Sequence, residues 1–242
     1  MPTSRNFRLS FFLKRKGARI IEAERRFAMK PLNIILWADL QCPFCYTAET
    51  CLNRAIETLG VSDKVRIDLK AREIHRPEDG NGDQPMIQIF QNKEGFTPEG
   101  AKAHIADINA MLHDEAKIAC ADFGKVHESN DHDALRLCKL ARDLGCEKEL
   151  REALHTAYFC QGKKLADVQT LKDAGKEAGI KEELIDRLLA EGWYENEVLN
   201  DEAEFHALKL DSVPYLIMDQ EVFPDHLDTE GYIEALKRHL QD

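Results

Sequence analysis

The chain has 242 residues, is 43% hydrophobic and 32% charged, and carries a net charge of −11. This suits one large domain or two modest ones and excludes a disordered chain; no apolar run approaches the roughly 18 residues of a membrane span. The acidic balance argues against general nucleic-acid binding, which needs Lys and Arg clustered on phosphates. The cysteines number seven, so they cannot all pair within the chain, and a reducing compartment is the simpler reading.

Charge is unevenly placed. Residues 1–28 carry eight cations against Glu22 and Glu24, a +6 segment on a −17 body. Its apolar run, Leu9–Leu13, is too short for a secretory signal. An Arg-rich stretch without acids through Ile21 fits an organelle transit peptide. The plainest expectation is that 1–29 is a basic extension outside the fold, because Met29-Lys30-Pro31 directly precedes the first strand signal.

Leu32–Trp37 is a short apolar run rich in β-branched residues and reads as a buried strand. Pro43 and Thr47–Leu59 read as a helix with proline in its first turn, stopped by Gly60. Val65–Leu69 alternates as a second strand, and Arg76–Pro85 is a turn-rich loop. From Thr97 the periodicity is helical, with Ala101, Ile105, Ile108 and Leu112 on one face. Helices follow over Asp131–Leu144, Lys148–Tyr158, Asp167–Ala178, Lys181–Ala190 and Asn196–Leu208. The strand signal returns at Ser212–Met218, with Glu221–Phe223 as a hairpin partner. Asp228–Leu240 closes the chain as a helix. A helical block thus interrupts an α/β unit.

The chemistry sits at Cys42-Pro43-Phe44-Cys45, a strand-to-helix junction. First-turn N–H groups there lack partners and the helix dipole is positive, so a thiolate is favoured. Cys42 is placed as the nucleophile. Cys45, one turn in, is placed to attack a mixed disulfide and release the partner. A Cys-x-x-Cys pair is also half of a zinc site, but zinc needs two more ligands. Neither a second such pair nor a His-x-x-x-His pair occurs.

Other residues read more blandly. Cys51 reads as a small buried hydrophobe rather than a regulatory thiol, and Cys120, Cys138, Cys146 and Cys160 as packing residues. Asp39 could take a proton from the resolving thiol, but reads first as a solvated turn residue. Trp37 reads as core. His113-Asp114-Glu115 and Asp131-His132-Asp133 read as solvated turns rather than metal ligands. Gly80-Asn81-Gly82 is a turn, not a dinucleotide fingerprint.

On these residues the chain resembles the DsbA-like branch of the thioredoxin superfamily, and most closely its FrnE-like members. The resemblance rests on Asp39 with Cys42–Tyr46, on Thr97–Ala101, on Leu154–Phe159 followed by Gly162, and on Val213-Pro214 before a strand. It implies a thioredoxin-like α/β fold interrupted by an inserted all-helical domain, with residues 30–96 and 204–242 in the first and 97–203 in the second. It implies a cis Pro214, and a substrate surface formed by Pro43, Phe44, Val213 and Pro214 on which an extended partner segment pairs. Two departures stand out. Phe44 replaces a cationic dipeptide residue, which points to a milder couple. Val222–His226 replaces a small Ser-Gly-rich turn.

The expected activity is thiol–disulfide exchange by Cys42 and Cys45 on protein or small-molecule disulfides, in the manner of a protein disulfide oxidoreductase or isomerase. No bound cofactor or metal is called for, and glutathione or another thiol is the expected redox partner. The expected location is the cytoplasm, without membrane or nucleic-acid partners, and a homodimer is allowed for. Two alternatives remain. One is a glutathione-dependent transferase or isomerase like the kappa-class or 2-hydroxychromene-2-carboxylate enzymes, which usually carry Ser where Cys42 stands. The other is a peptide-binding chaperone with incidental cysteines.

Overall fold

The structure, a computed structural model, describes residues 31–74 and 83–241. The basic segment 1–29 and residues 76–82 of the turn-rich loop, including Gly80-Asn81-Gly82, lie outside the described residues.

Strand β1 (Leu32–Ala38) is apolar but for Asn33 and lies inside the sheet, as a run without polar alternation requires. It pairs in parallel with β2 (Val65–Ala71), Leu32 opposite Val65. On its other side it pairs antiparallel with β3 (Tyr215–Met218), which pairs with β4 (Glu221–Phe223). The strand order is β2-β1-β3-β4. Helix α1 (Pro43–Leu59) joins β1 to β2. It ends at Gly60, whose φ of 63° is the left-handed cap that glycine adopts without a Cβ clash.

A run of helices separates β2 from β3. These are α2 (Met86–Asn92), α3 (Pro98–Asp114), α4 (His132–Leu144), α5 (Glu147–His155), α6 (Val168–Glu177), α7 (Glu182–Glu191) and α8 (Glu195–Ala207). Helix α9 (Thr229–Leu240) closes the chain. This is the thioredoxin-like α/β fold with inserted helices that the sequence implies. Sequence signals for helix starts are physically real here. The Thr97 hydroxyl accepts from Gly100 N–H at 3.1 Å, and the Asp228 carboxylate accepts from Gly231 N–H at 2.8 Å.

Two differences from the sequence reading matter. Helix α2 carries no start signal in the sequence. It follows Pro85 without a side-chain cap, yet it buries Met86, Ile89 and Phe90. The helix expected over Lys148–Tyr158 instead ends at His155 and continues as a π-helical turn, Thr156–Cys160. Such turns recur at functional sites.

The buried apolar residues form two clusters. One takes the sheet with α1 and α9, including Leu36, Leu52, Leu216, Tyr232 and both Cys42 and Cys45. The other takes the helical run, but also Leu40, Tyr46 and Ala71. Side chains of the helices reach the end of β2. Lys139 donates to Leu69 O at 2.9 Å, and Asp201 accepts from Ala71 N–H at 2.9 Å while pairing with Lys139.

Candidate active site

Cys42 is the N-cap of α1. Its backbone is still extended (φ −78°, ψ 116°), and Pro43 supplies a first helical position that has no N–H to satisfy. The Cys42 sulfur accepts from Cys45 N–H at 3.3 Å. An amide aimed at sulfur from a helix start stabilises negative charge on it. From across the sheet, Val213 O lies 3.8 Å from the Cys42 sulfur. The Val213–Pro214 peptide is cis. Residues 171 positions apart are therefore brought together. Both cysteines are free thiols in the structure.

The two thiols differ in surroundings. Cys42 is 5% exposed and Cys45 is sealed at 0%. Burial pushes the Cys45 thiol well above its ordinary value, and the neighbouring Cys42 adds to this, while the Asp39 backbone opposes it. Phe44, between them, is half-buried. It packs against both apolar clusters and lies 5.8 Å, ring to ring, from His226. His226 also contacts Asp225 and Glu115, so the unexpected turn after β4 borders the motif directly.

The tripeptide ahead of the motif is anchored by buried polar groups. Asp39 is fully buried, and its two carboxylate oxygens accept from Gln41 N–H and Ile74 N–H, each at 2.6 Å. The expectation of a solvated turn residue is thus wrong. These backbone amides hold the charge where water would otherwise be needed. Asp131 from the start of α4 is equally buried and accepts from Leu40 N–H at 3.2 Å. Burial, then the charges of Asp39 and Glu73, push its carboxyl well above the ordinary range. Gln41 Oε1 accepts from Ser129 N–H at 2.9 Å and lies 3.1 Å from the Tyr158 hydroxyl. Tyr46, just past the motif, stacks on Phe159 at 5.1 Å.

The reading of Asp131-His132-Asp133 as a solvated turn is also corrected. His132 sits between Glu73 and Glu195, with 2.9 Å to each. The hydrogen bond to Glu73 leads in raising its pKa to about 9. Among the described residues no group of three His, Cys, Asp or Glu side chains is arranged to hold a metal ion.

The remaining cysteines divide. Cys51 is buried and its thiol donates to Glu115 O at 3.7 Å; Cys138 is buried and pushed up to about 12 by desolvation. Both fit the packing role expected of them. Cys120 and Cys160 do not, because they form a disulfide, with Cα atoms 5.1 Å apart. Forty residues separate them, and no spacing rule connects two such positions. Trp37 is core, edge-on to Phe205 and Tyr215.

The DSBA-like thioredoxin domain family matches residues 33–237. The chain belongs to that family. Among solved structures, a probable DsbA oxidoreductase from Streptomyces coelicolor is similar over 87% of this chain and 91% of its own, at 23% identity and a TM-score of 0.78. The cytosolic disulfide reductase DsbM from Pseudomonas aeruginosa is similar over 87% of this chain and 99% of its own, at 17% identity and a TM-score of 0.58. A structure of DsbM with GSH gives a TM-score of 0.59 at the same identity, covering 87% of this chain and 100% of that one. A search of curated proteins by sequence finds no match. These likenesses concern the fold. In it, the Cys-Pro-Phe-Cys segment caps the helix that follows the central strand, within a DsbA-like thiol–disulfide oxidoreductase family.

Proposed function

We propose that this DsbA-family chain is a dithiol–disulfide oxidoreductase working through Cys42 and Cys45 on protein or small-molecule disulfides. The observation that carries the reading is the pairing of an N-cap sulfur, Cys42, with the backbone carbonyl of Val213 at its side. Pro43, Phe44, Val213 and Pro214 are the surface on which the partner rests. An extended segment bonded to the Val213 backbone is held by main-chain contacts, which tolerate varied side chains.

Cys42, as thiolate, attacks one sulfur of the partner disulfide; a mixed disulfide forms and the other sulfur leaves as thiolate. Cys45 then attacks the Cys42 sulfur and its proton passes to the departing thiolate. The partner gains two electrons and two protons, and Cys42–Cys45 becomes a disulfide. The elevated Cys45 pKa keeps that thiol protonated, and so inert, until the mixed disulfide brings an electrophilic sulfur to it. Two glutathione thiols, oxidised to glutathione disulfide, restore the pair. Support for a glutathione partner and a cytoplasmic location comes from the likeness to DsbM, a cytosolic disulfide reductase whose structure is known with GSH; among the described residues no helix is long and apolar enough to cross a membrane.

The test is insulin-disulfide reduction in a glutathione buffer. Cys42→Ser should lose turnover on the order of a thousandfold, as loss of a covalent nucleophile does, and Cys45→Ser should accumulate a mixed disulfide on Cys42. Full activity in both variants would overturn the reading. Turnover of a hydroxychromene with glutathione, surviving Cys45→Ser, would favour the transferase alternative; client protection unaffected by either variant would favour the chaperone.

A further inference from the structure

The disulfide between Cys120 and Cys160 has no part in the chemistry above. Cys120 is exposed, in the loop after α3, whereas Cys160 is half-buried at the last position of the π-helical turn. A small thiol in solution can therefore reach one of its two sulfurs. The same turn carries the two aromatic residues that bracket the active-site motif. Tyr158 reaches Gln41, immediately before Cys42, and Phe159 stacks on Tyr46, immediately after Cys45. Phe159 O also accepts from Asp122 N–H at 2.9 Å, tying the turn to the loop that holds Cys120. The disulfide thus closes a short covalent bracket behind the contacts that seat the motif.

We propose that Cys120–Cys160 is a second thiol–disulfide exchange site, taking small thiols of the glutathione class, whose redox state sets how firmly the π-helical turn holds residues 40–47. A glutathione thiolate attacks the exposed Cys120 sulfur, and Cys160 leaves as thiolate and takes a proton. A second glutathione thiolate attacks the glutathione sulfur of the mixed disulfide and frees Cys120. Two glutathione thiols become glutathione disulfide, and the protein disulfide becomes two thiols. The open bracket leaves the turn held by its hydrogen bonds and ring contacts alone, so local opening of the turn and of the segment it supports becomes more frequent.

The experiment uses full-length Cys42→Ser/Cys45→Ser protein, so that its outcome is independent of the proposed activity at the first pair. The protein is equilibrated in glutathione buffers from fully oxidised to fully reduced, alkylated, and mapped by peptide. Cys120 and Cys160 should pass together from linked to labelled as the reduced fraction rises, while Cys51, Cys138 and Cys146 show no linked form. Amide hydrogen exchange over 40–47 and 155–162 should quicken on reduction. In a further Cys120→Ser/Cys160→Ser variant it should be fast in every buffer. A pair labelled in every buffer, a pair linked in every buffer, or exchange over 40–47 that ignores the redox state would each overturn the proposal. If the serine variants fail to fold, peptide mapping and exchange on the wild-type protein, read at Cys120, Cys160 and 155–162, decide it in the same way.

Discussion

The sheet unit and the helical run divide the labour unevenly. The sheet unit supplies the groups of the proposed chemistry: Cys42 at the N-cap of α1, Cys45 on α1, and Val213 beside β3. The helical run supplies the grip on them. Leu40 and Tyr46 flank the motif yet belong to the helical core, while the two cysteines belong to the sheet core and Phe44 touches both. The Cys-Pro-Phe-Cys tetrapeptide is therefore a seam between the two apolar clusters. Inserted helices are part of what fixes the site's geometry, since a site needs its supporting shell as much as its reacting groups.

Breaking the seam tests this, and the largest effect is expected at its buried ion pair. Arg151 of α5 makes a two-pronged contact with Glu49 of α1, with Arg151 Nε 2.7 Å from Glu49 Oε2 and both side chains buried. The partner guanidinium overcomes the burial of Glu49 and holds its carboxyl below the usual range. Arg151→Met strands that carboxylate and should cost about 3–5 kcal/mol in urea unfolding. Adding Glu49→Leu should recover much of the loss, because an apolar pair needs no desolvated charge.

A smaller break is covalent. Cys120→Ser/Cys160→Ser removes a cross-link spanning 40 residues and should lower stability by about 2–4 kcal/mol against the oxidised wild type. The difference should vanish when unfolding is measured in excess dithiothreitol.

Tyr158→Phe keeps the ring and deletes the hydroxyl that meets Gln41 Oε1 and His127 O. It should cost about 1 kcal/mol. If the helical run positions the motif, insulin turnover should fall more than the stability loss accounts for at a temperature well below melting.

The gentlest probe is pH. His132 ties Glu73, after β2, to Glu195 at the start of α8, and its folded pKa of about 9 lies above the ordinary 6.5. The protonated form is thus the one the fold prefers. Its contribution is complete below about pH 6.5, fades as pH rises, and is gone above about 9. Thermal melts of His132→Gln should show a flatter decline over that window than the wild type. Equal slopes would dissociate His132 from the link.

Much of this was legible from the chain. Strand β1 showed as a short apolar run, α1 as a proline-started and glycine-stopped helix, and the motif as a thiol pair at a helix start. What escaped the sequence depended on partners remote along the chain. Asp39 and Asp131 look like ordinary turn acids, because the groups that make their burial tolerable are backbone amides of Leu40, Gln41 and Ile74, which every sequence has. Helix α2 lacks a side-chain cap and follows a proline-rich turn, so its only signal is packing against α3. The Cys120–Cys160 link joins two positions whose proximity is made by the π-helical turn, itself invisible as periodicity.

The bonds that Lys139 and Asp201 make to Leu69 and Ala71 have a consequence beyond holding helices to a strand. Strand β2 is an outermost strand, and an outermost strand offers open amides and carbonyls to any extended chain that drifts against it. Here one carbonyl and one amide towards its end, those of Leu69 and Ala71, are already occupied by an ammonium and a carboxylate. The opposite border, β4, is only three residues long. A protein proposed to hold an extended segment of its partner at Val213 is thereby given less room to gather such segments, or copies of itself, at the end of β2 and along β4.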